Sequence, residues 1–491
     1  VSSFSSQPGR HLIDGTVRVF LAGLLFPLTG IITAAFLTRR LGPEGYGLLV
    51  LSATLVVWIE LGINSFFARA TIKFVAEAED WRSIGVTVSR LQFLAGLGGG
   101  LLLTLLAFPL AAFLNEPVLA PYLCLYSLHI PLTGLAQGYQ NILVGIGHFK
   151  QKAVSSAGQW IARLVLILVL VEMGLSIEGA ILGSIGASLV EIAISRRYVG
   201  LPFFGHAMFP SQKFWNVGLL LFLSGMSLHS YSGLGLVMLK TFGGTAQEVG
   251  IYGAAQNLSV LPGIFSMAVG PLLFSTLSRM LSSGEADQAK TIGRATMRMV
   301  LGLLPIAAMV SGAASEIVTL FFGQAFEPAA PLFALLIWGA VAFVMISVSM
   351  TIVTAARPPR LTLILSAPLV LLAMTGYWMM IPPYGALGAA FVTALCSWVG
   401  AVICVLVVYR LWSIVPPMGT LARSVVASVL AYALGAFWPV TGFWVLVKLS
   451  VITLVILLTY LLLREFNAGE IALARSFLRR RTVPVEQQHE M

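Results

Sequence analysis

Residues Leu12–Gly47 read LIDGTVRVFLAGLLFPLTGIITAAFLTRRLGPEGYG. An apolar run from Leu12 to Thr38 ends at the pair Arg39-Arg40, and the turn Gly42-Pro43-Glu44-Gly45-Tyr46-Gly47 leads straight into a second apolar run. The first run exceeds the ~20 residues that cross a bilayer as a helix. It is also too long for the apolar core of a signal peptide, roughly 7–15 residues. It predicts a first membrane span. The glycine- and proline-rich segment after it predicts a turn into a second span.

The same alternation continues through all 491 residues. Apolar residues make up 58% and charged residues 10%, against roughly 45–50% and 25% in soluble domains. Mean hydropathy is +0.94. The roughly 285 apolar residues could furnish up to about 14 spans of ~20. Apolar runs and polar breaks place them near 12–38, 46–67, 85–113, 119–146, 153–173, 178–197, 213–240, 250–277, 296–322, 331–356, 361–381, 384–409, 419–439 and 443–463. The predicted fold class is an all-α polytopic membrane protein. A soluble enzyme, a disordered chain and a β-barrel of short alternating strands are excluded. Little length is left for an attached domain. Cys124, Cys396 and Cys404 all lie in apolar runs, which predicts buried thiols and no disulfide framework.

Net charge is +10. In such a chain the excess points to an anionic membrane leaflet as neighbour and not to nucleic acid. With the N-terminus in the cytoplasm and spans alternating, all but four of the 29 Lys and Arg residues fall on cytoplasmic segments. The four are Arg39, Arg40, Lys240 and Lys448. This asymmetry predicts an even number of spans and both termini inside.

The two halves of the chain resemble each other. Gly42–Gly47 has a counterpart in Gln247-Glu248-Val249-Gly250-Ile251-Tyr252-Gly253, with Tyr46 and Tyr252 offset by 206. Arg82, Ile84, Gly85 and Arg90 match Lys290, Ile292, Gly293 and Arg298 at an offset of 208, and Lys152 matches Arg360 at the same offset. Gly179-Ala180 matches Gly385-Ala386 at 206. The offset predicts a duplicated six-span unit: one lobe over 1–212, a second over 213–410, two extra spans over 411–463 and a basic tail over 464–491. An even number of spans per unit makes the repeat parallel, with the pseudo-two-fold along the membrane normal.

Several of these stretches resemble the polysaccharide-transport branch of the multidrug/oligosaccharidyl-lipid/polysaccharide exporter superfamily. They are Leu41–Gly47, Glu60-Leu-Gly-Ile-Asn64 running to Arg69, Gly145-Ile-Gly-His-Phe-Lys150 and Val249–Ala255. To these add Phe321-Phe-Gly323 with Phe326 and Ala329-Ala-Pro331, and Tyr384–Ala390. The resemblance implies two lobes of 12 to 14 helices in all, cytoplasmic termini, and a central cavity with basic residues for a pyrophosphate-linked glycan. Members often carry a charge near the middle of span seven. Here that stretch reads His229-Ser-Tyr-Ser-Gly-Leu-Gly235, with Lys240 at its end.

No nucleotide-binding P-loop, zinc-protease HExxH or Cys/His cluster is present. The acidic group Glu77, Glu79 and Asp80 lies in a predicted cytoplasmic loop and reads as a solvated turn. The informative residues are polar groups inside spans, because burying a charge there costs at least ~2.5 kcal/mol. Arg18, about a turn and a half into span one, either meets substrate phosphate or snorkels to headgroups. Arg163 in span five is similar. Glu60 is too deep in span two to snorkel, so it pairs with a base, carries a proton or packs; Asn64 follows one turn on. His129, Gln137, Gln140 and Asn141 cluster on span four, the last three on one face. His229 lies in span seven, and Gln256 and Asn257 in span eight. For the amides, interhelical hydrogen bonding is the plain alternative to substrate contact. Glu172 and Glu316 are expected at the outer interface. Arg90 and Arg298 are explained by orientation alone. Prolines 27, 131, 262, 271 and 305 predict kinks.

Taken together, the sequence predicts a non-enzymatic secondary transporter of the cytoplasmic membrane, without cofactor or bound metal. It would flip a lipid-linked oligosaccharide by alternating access, driven by a proton or Na+ gradient or by the lipid's own gradient. Two alternatives stand beside it. A multidrug exporter of the same superfamily would want acidic residues in a compact cavity. A membrane glycan polymerase or ligase would want a sizeable outer loop, which the sequence lacks.

Overall fold

The computed structural model describes residues 8–201, 222, 231, 233–356 and 360–465. All regular elements among them are helical: α1 (Pro8–Glu77), α2 (Trp81–Phe113), α3 (Leu119–Ser127), α4 (His129–Gly145), α5 (Phe149–Leu170), α6 (Ser176–Val199) and α7 (233–241). There follow α8 (Ala246–Ser259), α9 (Gly263–Ser282), α10 (Ala286–Leu301), α11 (Leu304–Gly312), α12 (Ala314–Phe322), α13 (Ala329–Ala356), α14 (Arg360–Trp412), α15 (Met418–Phe437) and α16 (Trp444–Leu462). Ten helical stretches among the described residues are long and apolar enough to cross a membrane. The predicted all-α, multi-span class is the fold observed. Most of predicted span seven, with His229, lies outside the described residues.

Three of the ten stretches, Leu25–Glu77, Phe149–Val199 and Leu363–Trp412, run for 50 to 53 residues. A straight helix of that length would measure ~75 Å, more than twice the hydrocarbon core. Each instead breaks and folds back. Gly42 (φ 66°) ends the first arm of α1, a left-handed conformation that costs glycine little. Pro43 then opens the second arm, where its missing N–H is no loss. Gly385 (φ 53°), after Pro382-Pro383, does the same in α14, and there Tyr377 and Thr393 of the two arms share a hydrogen bond of 2.8 Å. Gly174 and Ser176 turn α5 into α6. Three of the five predicted proline kinks are outright interruptions. Pro131 follows the α3/α4 break, Pro262 separates α8 from α9, and Pro305 opens α11 after the break that ends α10. Pro27 and Pro271 remain inside continuous helices.

Helices α1–α6 pack among themselves, as do α8, α9, α13 and α14; α1 against α8 is the main contact between these two groups. It is made by the two repeat-related turns. A Cβ on Gly47 would stand 1.9 Å from the Ala246 carbonyl oxygen, and one on Gly250 1.9 Å from that of Pro43. Bare backbone therefore meets bare backbone. Further ties cross at the same end. Lys240 Nζ donates to Glu116 Oε2 (2.8 Å), and Arg39 donates to the carbonyls of Leu320 (2.7 Å) and Phe321 (3.2 Å) at the end of α12. Arg40 pairs with Glu172 at 2.5 Å. Glu172 lies as expected, half exposed at the surface.

The helices α15 and α16 lean on α11, where Gly312 and Gly435 let the backbones approach closely. Ion pairs hold this hairpin at both ends. At one, Lys448, fully buried, donates to Glu316 Oε2 (2.5 Å) and to the Gly435 carbonyl (2.7 Å). Glu316 is half-buried there, and its second oxygen accepts from the Val440 backbone N–H in the loop between α15 and α16. At the other end, Glu465 accepts from Arg298 Nε (2.6 Å), Arg423 (2.7 Å) and Thr420 (2.5 Å). Arg298 therefore has a structural partner beyond the orientation role expected of it. Every one of the four basic residues that broke the charge asymmetry is engaged in such a tie.

Candidate functional site

Both arms of α1 border a central cavity of about 410 Å³, together with α5, α6, α7 and α8. The α1 stripe is Phe26, Thr29, Gly30, Thr33 and Leu37 on the first arm and Tyr46, Val50, Thr54 and Trp58 on the second. This follows the helical spacing that puts residues three and four apart on one face. Trp160 of α5 meets Phe26 at a ring separation of 4.5 Å, and Tyr126 and Ser184 supply hydroxyls. Gln256 and Asn257, in the last turn of α8 before the Pro262 break, supply amides, and Asn257 donates to the Tyr46 hydroxyl at 3.2 Å. Arg163 is the single charged residue of the lining among the described residues. Its Nε is buried and has no hydrogen-bond partner there.

A second polar group lies behind Tyr126. His129 Nδ1 and Glu60 Oε1 are 2.5 Å apart. Thr133 Oγ1 lies 3.1 Å from the same ring nitrogen, and Ser188 Oγ lies 3.0 Å from Nε2. The Tyr126 ring meets His129 edge-on and its hydroxyl bonds Ser184 of the cavity wall. Glu60, Asn64, Gln92, Thr133 and Gln137 surround a small void of about 10 Å³, and Asn141 donates to Asn64 at 3.3 Å. A third group joins α4, α5 and α6. Gln140 donates to Glu191 Oε1 (2.9 Å), and Ser155 bonds Ser195 (2.6 Å). Glu191 is 2% exposed, its other oxygen has no partner among the described residues, and the charge of Lys152 acts on it.

The structure therefore splits the residues singled out in the sequence. Arg163, Gln256 and Asn257 line the cavity. Glu60, Asn64, His129, Gln137, Gln140 and Asn141 do not; they lie between helices of the first half, Gln140 and Asn141 buried and the other four half-buried. Glu60 faces protein, as its depth required. The side chain of Arg18 and all of His229 lie outside the described residues. Sequence reasoning missed Tyr126, Trp58 and Trp160, because aromatic residues on an apolar span carry no mark of facing a cavity. It also missed Glu191 and Gln92, both legible as polar residues within a span. No group of three or more His, Cys, Asp and Glu that could hold a metal occurs among the described residues.

The family model described as polysaccharide biosynthesis protein matches residues 12–281. A search of curated protein sequences finds no match. Among solved structures, the chain is similar to the lipid II flippase MurJ in an inward closed conformation. The TM-score is 0.72 at 15% identity, over 92% of this chain and 99% of that one. It is similar to an inward-facing multidrug resistance MATE family transporter of the MOP superfamily (TM-score 0.68, 14% identity, 79% and 94% covered). A point mutant of the Vibrio cholerae MATE transporter VcmN gives 0.61 at 18% identity, with 82% and 96% covered. At these identities the likeness is one of fold, and it spans nearly the whole of each neighbour.

Proposed function

The chain belongs to the polysaccharide biosynthesis protein family, and from that premise we propose that it is a secondary transporter flipping a lipid-linked oligosaccharide across the cytoplasmic membrane. The observation that carries this reading is the central cavity, whose lining combines Arg163, aromatic rings and neutral polar groups, with no carboxylate among the described residues. A guanidinium suits the oxygens of a pyrophosphate, which it can hold bidentately. Phe26, Trp58 and Trp160 offer flat faces, and the amides offer donors and acceptors, to sugar rings. Arg18, eight residues before Phe26 in the sequence, is assigned to the same phosphate-binding role. A multidrug exporter acting on cations would want a carboxylate where Arg163 stands.

In this reading α1–α6 and α7–α14 are the two rocking lobes, with α15–α16 attached to the second. The end tied by Lys240–Glu116, Arg39 and the Gly47–Gly250 contact is the outer gate in its closed state. Both termini are then cytoplasmic. The test is reconstitution in vesicles carrying a fluorescent polyprenyl-pyrophosphate glycan on one leaflet. Transfer to the other leaflet that depends on the protein, and is lost on Arg163→Ala at equal protein level, is expected. A protein that moves cationic dyes and leaves the glycan lipid in place would overturn the proposal.

A further inference from the structure

Helix α12 (Ala314–Phe322) has nine residues and a break at each end. Ala313 (φ −100°, ψ 17°) parts it from α11, and Gly323 (φ 87°) parts it from the turn Gln324–Phe326 that leads to α13. It spans only ~13 Å, yet its two ends are tied to different parts of the molecule. In its first turn, Glu316 accepts from Lys448 Nζ on one oxygen (2.5 Å) and from the Val440 N–H on the other (3.0 Å), and so clamps the turn that joins α15 to α16. In its last turn, the carbonyls of Leu320 and Phe321 accept from Arg39, which belongs to the first half. Each charge suits the helix end it meets, a carboxylate at the N-terminus and a guanidinium at the C-terminus. Just beyond, the buried Phe326 meets the Tyr46 ring edge-on at 5.9 Å, where Tyr46 lines the central cavity.

We propose that α12 is a strut coupling the α15–α16 hairpin to the gate between the halves, with Lys448 and Glu316 as positioning residues for the Arg39 latch. Ile317, Val318 and Phe322 bury one face of α12, which packs on α13 and α1. Such apolar burial is non-directional. It holds the helix down without fixing its slide along its own axis, and the breaks at both ends leave that slide free. Hydrogen bonds are directional, and the ties at the two ends fix it. The hairpin end is the stationary one. Glu465 fastens the hairpin to Arg298 of α10, and Phe437, Phe443 and Trp444 stand exposed about its turn, as aromatic residues do at the headgroup level of a bilayer. Release of Lys448 would free the first turn of α12, and with it the carbonyls on which Arg39 closes. That this gate is the outer one rests on the function proposed above; the coupling does not.

The test is double electron–electron resonance on the full chain in nanodiscs, with Cys124→Ala, Cys396→Ala and Cys404→Ala removing the native thiols. Spin labels on Met173→Cys and Gln247→Cys, exposed on the first and second halves at the tied end, report the gap without touching α12. The unaltered latch is expected to give mainly a short distance. Lys448→Met should raise the population of a longer one by roughly fivefold or more. Arg39→Met should open the gate by itself, and adding Lys448→Met to it should open it no further, because both act through α12. Arg423→Met loosens the hairpin at its other end, away from α12, and should lower the melting temperature without altering the distances. Should Lys448→Met not fold, Lys448→Met/Glu316→Leu strands no charge and takes its place; its stability should return while the gate stays loose. An unchanged distance distribution in the Lys448 variants, opening that merely adds to that of Arg39→Met, or equal opening in Arg423→Met would overturn the strut. The distances are read without glycan lipid, so a failed strut leaves the flippase reading standing, and failed glycan transfer leaves the strut.

Discussion

Replacing Arg163 by Met separates the two things a cation in a cavity wall can do. In the free protein the Arg163 Nε is buried and has no acceptor among the described residues, and such a donor costs about 1–3 kcal/mol. Methionine keeps the length of the side chain, brings no donor and bends to fill gaps. The rest of the guanidinium borders the cavity, so the gain on removing it is expected at the low end, about 1 kcal/mol. Substrate binding moves the other way. Charge-assisted hydrogen bonds to a phosphate contribute about 1.5–3 kcal/mol, and losing them weakens binding roughly 10–150-fold. The Met variant is therefore expected to melt at or above the wild-type temperature in the absence of substrate, and to flip the glycan lipid far more slowly. Arg163→Lys keeps the charge without the planar fork and should fall between. The measurements are thermal unfolding of the purified variants and leaflet transfer in vesicles at matched protein levels. A Met variant that melts lower yet flips at the wild-type rate would show that Arg163 serves packing and orientation only.

Three further outcomes are expected. Lys448→Met leaves the half-buried Glu316 without its cation and should destabilise the protein by about 1–3 kcal/mol, with much of the loss recovered in the Lys448→Met/Glu316→Leu double variant; simple additivity in that cycle would contradict the pairing. Burial pushes the Glu465 carboxyl up, yet hydrogen bonds from Thr420, Arg423 and Arg298 hold it below its usual 4.5. Its stabilising contribution is therefore complete above that value and is lost as pH falls through the lowered one, so Glu465→Gln should flatten the acid limb of a melting-temperature profile, and an unaltered limb would count against the cluster. Gly47→Ala sets a methyl 1.9 Å from the Ala246 carbonyl oxygen and should pry that end open, seen as a severalfold drop in cross-linking between cysteines placed at Glu116 and Lys240 by a short thiol reagent; unchanged yield would mean the backbones slide past one another.

What the sequence disclosed, and what it withheld, follows from how membrane helices are encoded. The apolar runs and the turns at Gly42-Pro43 and Gly385 were legible because a bilayer needs a long uninterrupted apolar stretch and a reversal needs glycine or proline. The repeated motifs were legible because Gly42–Gly47 and Gly179-Ala180 have counterparts at a near-constant offset of 206. Which face of a span looks onto lipid, onto protein or onto a cavity was not legible, because apolar residues suit all three. Trp160 and Tyr126 therefore passed unremarked. Gln137, Gln140 and Asn141 share one face of α4, and that much could be read. Their separate neighbours could not, since Gln140 reaches α6, Asn141 reaches α1 and Gln137 borders the small void. Glu191, five residues before Arg196, carries no sign in the sequence of its partners, and packing of α4 and α5 over α6 buries it.

The hairpin of α15 and α16 is fastened at both of its ends, by Lys448 to Glu316 and by Glu465 to Arg298, with Gly312 and Gly435 letting it lie flush on α11 at the Lys448 end. A beam pinned at two points cannot swing about either. Whatever the second half of the molecule does, this hairpin must copy, and it does so on the molecule's rim, where Val429 and Leu458 are exposed. A spin label or fluorophore at those positions would thus ride on the half to which the hairpin is bolted, outside the cavity lining. Distances from it to a label on the exposed face of α2, at Leu101 or Leu105, would read the angle between the halves without touching anything that handles substrate.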